Sequence, residues 1–108
     1  MAREQFQTLT EPMYYILLAL LREVCGVDIM ARVEEISGGR VKVGPGTLYA
    51  MLQKFEENGL IERTAEEGRK KWYRITPRGQ KMLMEEMERL RRQIADGERF
   101  MDLQERRS

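Results

Sequence analysis

The stretch VGPGTLYAMLQKFEENGLIERTAEEGRKKWYRIT, residues 43–76, reads as a helix followed by two strand-like runs, and the helix opens on Pro45-Gly46. Proline suits a first helical turn, where its missing N–H is not needed, but Gly46 behind it weakens the helix by roughly 1 kcal/mol relative to Ala. A helix start free of bulky side chains exposes N–H groups and a positive dipole end, a shape that admits a phosphate. Leu48, Met51, Leu52 and Phe55 repeat at helical spacing as an inner stripe, and Asn58-Gly59 closes the helix. Residues 60–64 and 71–75 then read as strands, joined by the polar connection 65–70 with Gly68 in it, which is a hairpin signal.

Upstream, Thr10 caps a first helix with Pro12 in its opening turn, and Met13, Ile16, Leu17, Leu20, Leu21 and Val24 form its core face up to Gly26. Residues 27–37 read as a second, shorter helix with Met30, Val33 and Ile36 inward, stopped by Gly38-Gly39. Residues 40–43 alternate polar and apolar over a length that allows only a short strand. Downstream, Thr76 and Pro77 open a fourth helix that runs close to the C-terminus. Its Leu83, Met87, Leu90, Ile94 and Met101 follow steps of 4, 3, 4 and 7, a heptad seam with one member replaced by Gly97. Three helices followed by a hairpin predict a winged helix-turn-helix, mainly α with a small β-hairpin. Residues 1–76 would be the DNA-binding domain and 77–108 a long C-terminal dimerisation helix.

At 108 residues the chain makes one domain with a core of its own. With no histidine and a single cysteine, Cys25, the histidine triads, Cys–His pairs and Cys/His zinc sites are excluded, so no catalytic residue, metal or cofactor is expected. Cys25 reads as an inert buried thiol. The spacing of Gly39 to Gly44 has the outline of a phosphate-binding loop, but Pro45 and Gly46 stand where Lys and Ser or Thr are required. The longest apolar run, 16–21, is too short to span a bilayer, and the N-terminal MAREQFQ lacks the apolar core of a signal peptide, so a cytoplasmic chain off the membrane is expected.

Net charge is +1, yet Arg69, Lys70, Lys71, Arg74, Arg78 and Lys81 fall between 68 and 81 with no acid among them. The bland reading of that run is a solvated hairpin. On the third helix, Gly46, Tyr49, Ala50, Gln53 and Glu57 form a second stripe, small and polar, that points away from the core and suits a groove. Candidate DNA contacts on this reading are Lys42, Gly46, Tyr49, Gln53 and Lys54, together with Arg69, Lys70, Lys71 and Arg74 of the wing. Tyr49 has the plain alternative of packing beside the core. Of Trp72 and Tyr73, which alternate on a strand, Trp72 is expected to face inward.

The segments LTEPMYYILLAL (9–20), DIMARVEEISGGRVKVGPGTLYAMLQKFEENGLI (28–61) and RKKWYRITPRGQ (69–80) resemble the PadR family of bacterial transcriptional regulators, in particular its small members with one C-terminal helix. The resemblance implies a dimeric winged-helix protein, a repressor at inverted-repeat operators in double-stranded DNA, and a DNA-binding role for Thr47, Tyr49 and the basic wing. Val27 stands where many relatives have an aromatic residue, and Ala50 where proline is common. Some small relatives hold flat drug-like molecules between aromatic residues of their C-terminal helices. Here that helix has no Trp, and its one aromatic is Phe100, so Met87 and Phe100 are the candidate site for a small hydrophobic inducer. The seam of Leu83, Met87, Leu90, Ile94 and Met101 is expected to meet a second chain, against Tyr14, Tyr15 and Leu18 of its first helix. The rival reading from another class is a winged helix that binds an acidic protein and no DNA.

Overall fold

A computed structural model describes residues 8–107, with side chains described as far as Leu103; the N-terminal heptapeptide MAREQFQ lies outside the described residues. Helix α1 (Glu11–Ala19) is followed by strand β1 (Val24–Cys25), a 3-10 turn (Gly26–Asp28), α2 (Ile29–Ile36) and α3 (Pro45–Glu57). Strands β2 (Ile61–Glu67) and β3 (Lys70–Ile75) form the wing, and α4 (Pro77–Arg107) completes the chain. The sheet is antiparallel with order β1-β3-β2. This is the winged-helix architecture, mainly helical, with a third strand that sequence periodicity did not announce. Among the described residues no helix is long and apolar enough to cross a membrane.

The first helix stops earlier than its apolar spacing suggests. Thr10 accepts the Met13 N–H at 3.4 Å as N-cap, but Leu20 is already the C-cap, and its carbonyl accepts the Ile75 N–H at 2.8 Å. That bond draws the chain toward the sheet edge. Leu21, expected in the core, is exposed, whereas Val24 reaches the core from β1. The second helix begins at Ile29, because 26–28 adopts the tighter 3-10 turn, and Ile29 takes the buried place while Ile36 faces out. Residues 40–43 form no strand. Their Val41 and Val43 are buried from an irregular loop, fixed by the Ser37 hydroxyl, which accepts the Val41 N–H at 3.0 Å.

Ile16, Leu17, Leu20, Ile29, Val33, Leu48, Leu52, Phe55, Leu60 and Leu83 are the largest fully buried side chains. Burial of each contributes about 1.5–3 kcal/mol relative to exposure. The wing is longer than expected, since its strands run to Glu67 and from Lys70, leaving a turn of Gly68 (φ +61°) and Arg69. A bulge between Arg63 and Ala65 shifts the register, so Arg63 pairs with Tyr73 and Ala65 with Trp72. Tyr73, not Trp72, is the side chain turned into the core, on the same face as buried Ile75, while Trp72 is half-buried across from Cys25. Cys25 is buried and free.

The end of α3 and the start of α4 are bolted together. Gly59 (φ +72°) closes α3 with the Gly59 N–H on the Glu56 carbonyl and the Leu60 N–H on the Phe55 carbonyl, at 3.1 and 2.9 Å. Thr76 then donates its hydroxyl to the Gly59 carbonyl at 2.7 Å and its N–H to the Leu60 carbonyl at 3.0 Å, while its hydroxyl oxygen accepts the Gly79 N–H. Gly79 sits so close to β2 that a methyl there would overlap the Leu60 carbonyl. Met82 and Leu83 therefore enter the core of the preceding elements, and Leu83, read as part of a seam for a second chain, is consumed by its own. Buried Glu86 pairs with Arg89 at 2.5 Å, and beyond Leu90 the helix stands free, with Ile94, Phe100, Met101 and Leu103 exposed.

Candidate nucleic-acid interface

Helix α2 ends on Gly38 (φ +63°) and Gly39 (φ +82°), whose N–H groups return to the Glu35 and Glu34 carbonyls. The chain thereby leaves α2 for the irregular loop that leads into α3. Gly44 is the N-cap of α3 and contributes no side-chain cap; Pro45 holds the first turn, and the Leu48 N–H reaches the Gly44 carbonyl at 2.9 Å. A Cβ added at Gly44 or Gly46 would meet nothing within 4 Å. The opening of α3 is thus bare, with no internal contact that requires a small residue at Gly46.

Thr47, Tyr49, Ala50, Gln53, Lys54 and Glu57 are all exposed along the outer side of α3, opposite buried Leu48, Leu52 and Phe55. Gln53 donates to the Glu57 carboxylate at 3.3 Å, so its amide is held along the helix rather than swinging freely. Lys42 is exposed on the loop that leads into α3, and Lys54 lies in its last turn.

The wing is less basic than its returning strand suggests. Glu62, Glu66 and Glu67 on β2 stand opposite Arg74, Lys71 and Lys70 on β3. Between 61 and 75 five basic and three acidic side chains leave a net +2. Arg74 pairs with Glu62 at 3.4 Å, and Arg63 is pinned between Glu56 and Glu66 at 3.3 and 3.2 Å. Arg69, Lys70 and Lys71 make no ion pair among the described residues. Their charge, at the tip and the inner edge of the wing, is the charge left to meet a partner.

Tyr49 and these three cations converge. A concavity of about 190 Å³ between the 3-10 turn, α3 and the wing is lined by Gly26, Val27, Tyr49, Arg69, Lys70, Lys71 and Tyr73. Burial pushes the Tyr73 phenol above the usual tyrosine range, against the opposing pull of nearby Arg63. Gly26 and Val27 were not singled out for this surface from the sequence. The only signal there was Gly26, whose reading as a helix stop hid its place beside Tyr49.

The residues assigned to assembly and ligand divide differently. Leu90 lines a groove of about 380 Å³ between α1 and α4 with Leu9, Glu11, Tyr14, Tyr15, Glu86 and Arg89. At its rim Arg40 donates to the Tyr15 hydroxyl at 2.9 Å and pairs with Glu11 at 3.0 Å. Met87 packs on the core and also lines a separate groove of about 580 Å³ on α4 with Met84 and Arg91. At 1.5 Å per residue Phe100 lies about 20 Å further along the helix. Met87 and Phe100 therefore line no common site within one chain.

The profile of the family described as Transcriptional regulator PadR-like family matches residues 16–85. Over 61 residues the chain is 38% identical to a 37.1 kDa protein in transposon TN4556 of Streptomyces fradiae, covering 56% of this chain and 17% of that protein. Over 71 residues it is 37% identical to the transcriptional regulator Rv3488 of Mycobacterium tuberculosis, covering 60% of this chain and 66% of that one. The chain thus spans less than two thirds of the length of either relative. Among solved structures, RosR in the hsRosR-S1 complex superposes with a TM-score of 0.67 at 28% identity, over 95% of this chain and 88% of that one.

Proposed function

Because the chain belongs to the PadR-like family of transcriptional regulators, we propose that it is a sequence-specific repressor that binds double-stranded DNA as a homodimer on an inverted-repeat operator. The observation that carries this reading is the bare opening and small polar face of α3 beside Arg69, Lys70 and Lys71, none of them paired with an acid among the described residues. In this reading Gly46 and Thr47 bring the N–H groups of α3 against phosphate, Gln53 turns from Glu57 to a base edge, and Lys42 and Lys54 flank the contact. Arg74 contributes less, because Glu62 already neutralises it.

Dimerisation uses the free part of α4. Leu90, Ile94 and Met101, rather than Leu83, supply the seam, and the groove beside Tyr14 and Tyr15 receives the second chain. A symmetric pair places two α3 helices for half-sites one DNA turn, about 34–36 Å, apart. A small hydrophobic inducer that engages both Met87 and Phe100 would do so only across two chains.

Selection of bound sites from random duplex DNA tests the reading. A palindromic consensus is expected, with affinity falling steeply as salt rises. Failure to enrich any sequence, with no duplex binding at low salt, would instead favour a winged helix that meets an acidic protein.

A further inference from the structure

The concavity between the 3-10 turn, α3 and the wing has an unusual lining. Three cations, Arg69, Lys70 and Lys71, rim it with no carboxylate among its lining residues, although the outer strand of the wing carries three. A tyrosine hydroxyl is directed at its floor, since a Cβ built on Gly26 would stand 3.5 Å from the Tyr49 Oη. The same point is 3.6 Å from the Tyr73 ring and 3.7 Å from the Lys71 carbonyl. These are ordinary contact distances, so the fold tolerates a methyl at position 26, and Gly26 is not among the glycines with positive φ. Neither backbone conformation nor a clash explains the glycine. What its missing side chain does is keep the floor open. At about 30 Å³ per liquid water, the roughly 190 Å³ volume has room for several waters, and for a group the size of a phosphodiester.

We infer that this concavity is the seat of one DNA backbone phosphate, with the Tyr49 hydroxyl donating a hydrogen bond to a phosphate oxygen and Arg69, Lys70 and Lys71 closing around it. The inference rests on the DNA-binding reading above and adds a site to it. One phosphate bridged by α3 and the wing ties the two elements to the same point on the duplex. It fixes the register in which the rest of α3 meets the bases. Gly26 is here a positioning residue that keeps the seat open, and Tyr49 the residue that touches the phosphate.

The test replaces single phosphodiesters of the operator by neutral methylphosphonates, one position at a time, with the full chain as wild type, Gly26→Ala and Tyr49→Phe. In wild type, substitution at the seated phosphate of each half-site is expected to weaken binding about tenfold, as for removal of one charge-assisted hydrogen bond. In both variants the loss at that position should shrink without vanishing, because Arg69, Lys70 and Lys71 remain, while the other sensitive positions keep their full effect and thermal midpoints stay at the wild-type value. Variants that keep the full wild-type pattern would overturn the seat and leave DNA binding intact. A wild type that binds no duplex would overturn the DNA reading itself. A second arm compares millimolar inorganic phosphate with chloride at equal ionic strength. Equal effects on DNA binding are expected, and phosphate-specific binding to the free chain that Gly26→Ala abolishes, while the methylphosphonate pattern of that variant stays at wild type, would overturn DNA as the occupant in favour of a free anion.

Discussion

Gly79 shows how much a single missing side chain can carry. A methyl there would overlap the Leu60 carbonyl and come within 2.7 Å of Ile75 Cγ1, and the carbonyl is backbone that has no rotamer to yield. Gly79→Ala is expected to destabilise the fold by about 1–3 kcal/mol, read as a lower urea midpoint at unchanged slope. Gln53 is the opposite case, an exposed residue whose replacement leaves the fold alone. In the proposed complex its hydrogen bond to Glu57 is given up for an adenine edge, an exchange that would favour only the correct base. Gln53→Ala should therefore lose about 1–3 kcal/mol on operator and almost nothing on random duplex, as compared by competition titration.

Among the elements, the wing is the one that, in the proposed DNA complex, supplies electrostatic attachment. Replacing Arg69, Lys70 and Lys71 together by Ala should weaken all duplexes alike and flatten the log–log salt dependence by about 0.9 for each phosphate that is no longer neutralised. An unchanged slope would remove the wing from the interface. The winged-helix order was legible from the sequence, because α3, the hairpin and α4 each announce themselves by local period and by glycine or proline at their ends. What escaped depends on partners distant in the chain. Leu20, Leu21 and Val24 continue a helical spacing, and only the bond from Ile75 to Leu20 reveals that the helix has stopped and a strand follows. The inward choice between Trp72 and Tyr73 was within reach, since strand alternation from buried Ile75 selects Tyr73. The acids opposite the wing cations were hidden by sequence distance, as the antiparallel register alone brings Glu62 to Arg74. At the candidate DNA surface, the exposed stripe on α3 could be read from its 3-4 spacing, but the concavity at Gly26 could not, because it is made by three segments far apart in sequence.

For the molecule as a whole, α4 plays two parts that its heptad spacing does not distinguish. Leu83 and Ile94 both belong to the heptad seam, yet Leu83 is 2% and Ile94 60% exposed in the single chain. Ile94→Glu is accordingly expected to give folded monomers that bind operator weakly, whereas Leu83→Glu should unfold the chain. Sedimentation combined with thermal melting separates the two outcomes. The bolted junction at Gly59, Thr76 and Gly79 has a further bearing on how such chains can be recombined. Residue 76 is where the wing ends in sequence, but it is not a place where the molecule comes apart, because Met82 and Leu83 complete the core that α1 and α3 begin. A hybrid that receives a foreign helix at 76 inherits a mismatched plug for its own interior, whereas one joined beyond Leu90 exchanges only the solvent-facing arm. The first hybrid should express as aggregated material and the second as a folded chain with altered self-association, so new pairing specificities can be grafted onto this domain without touching the proposed DNA surface.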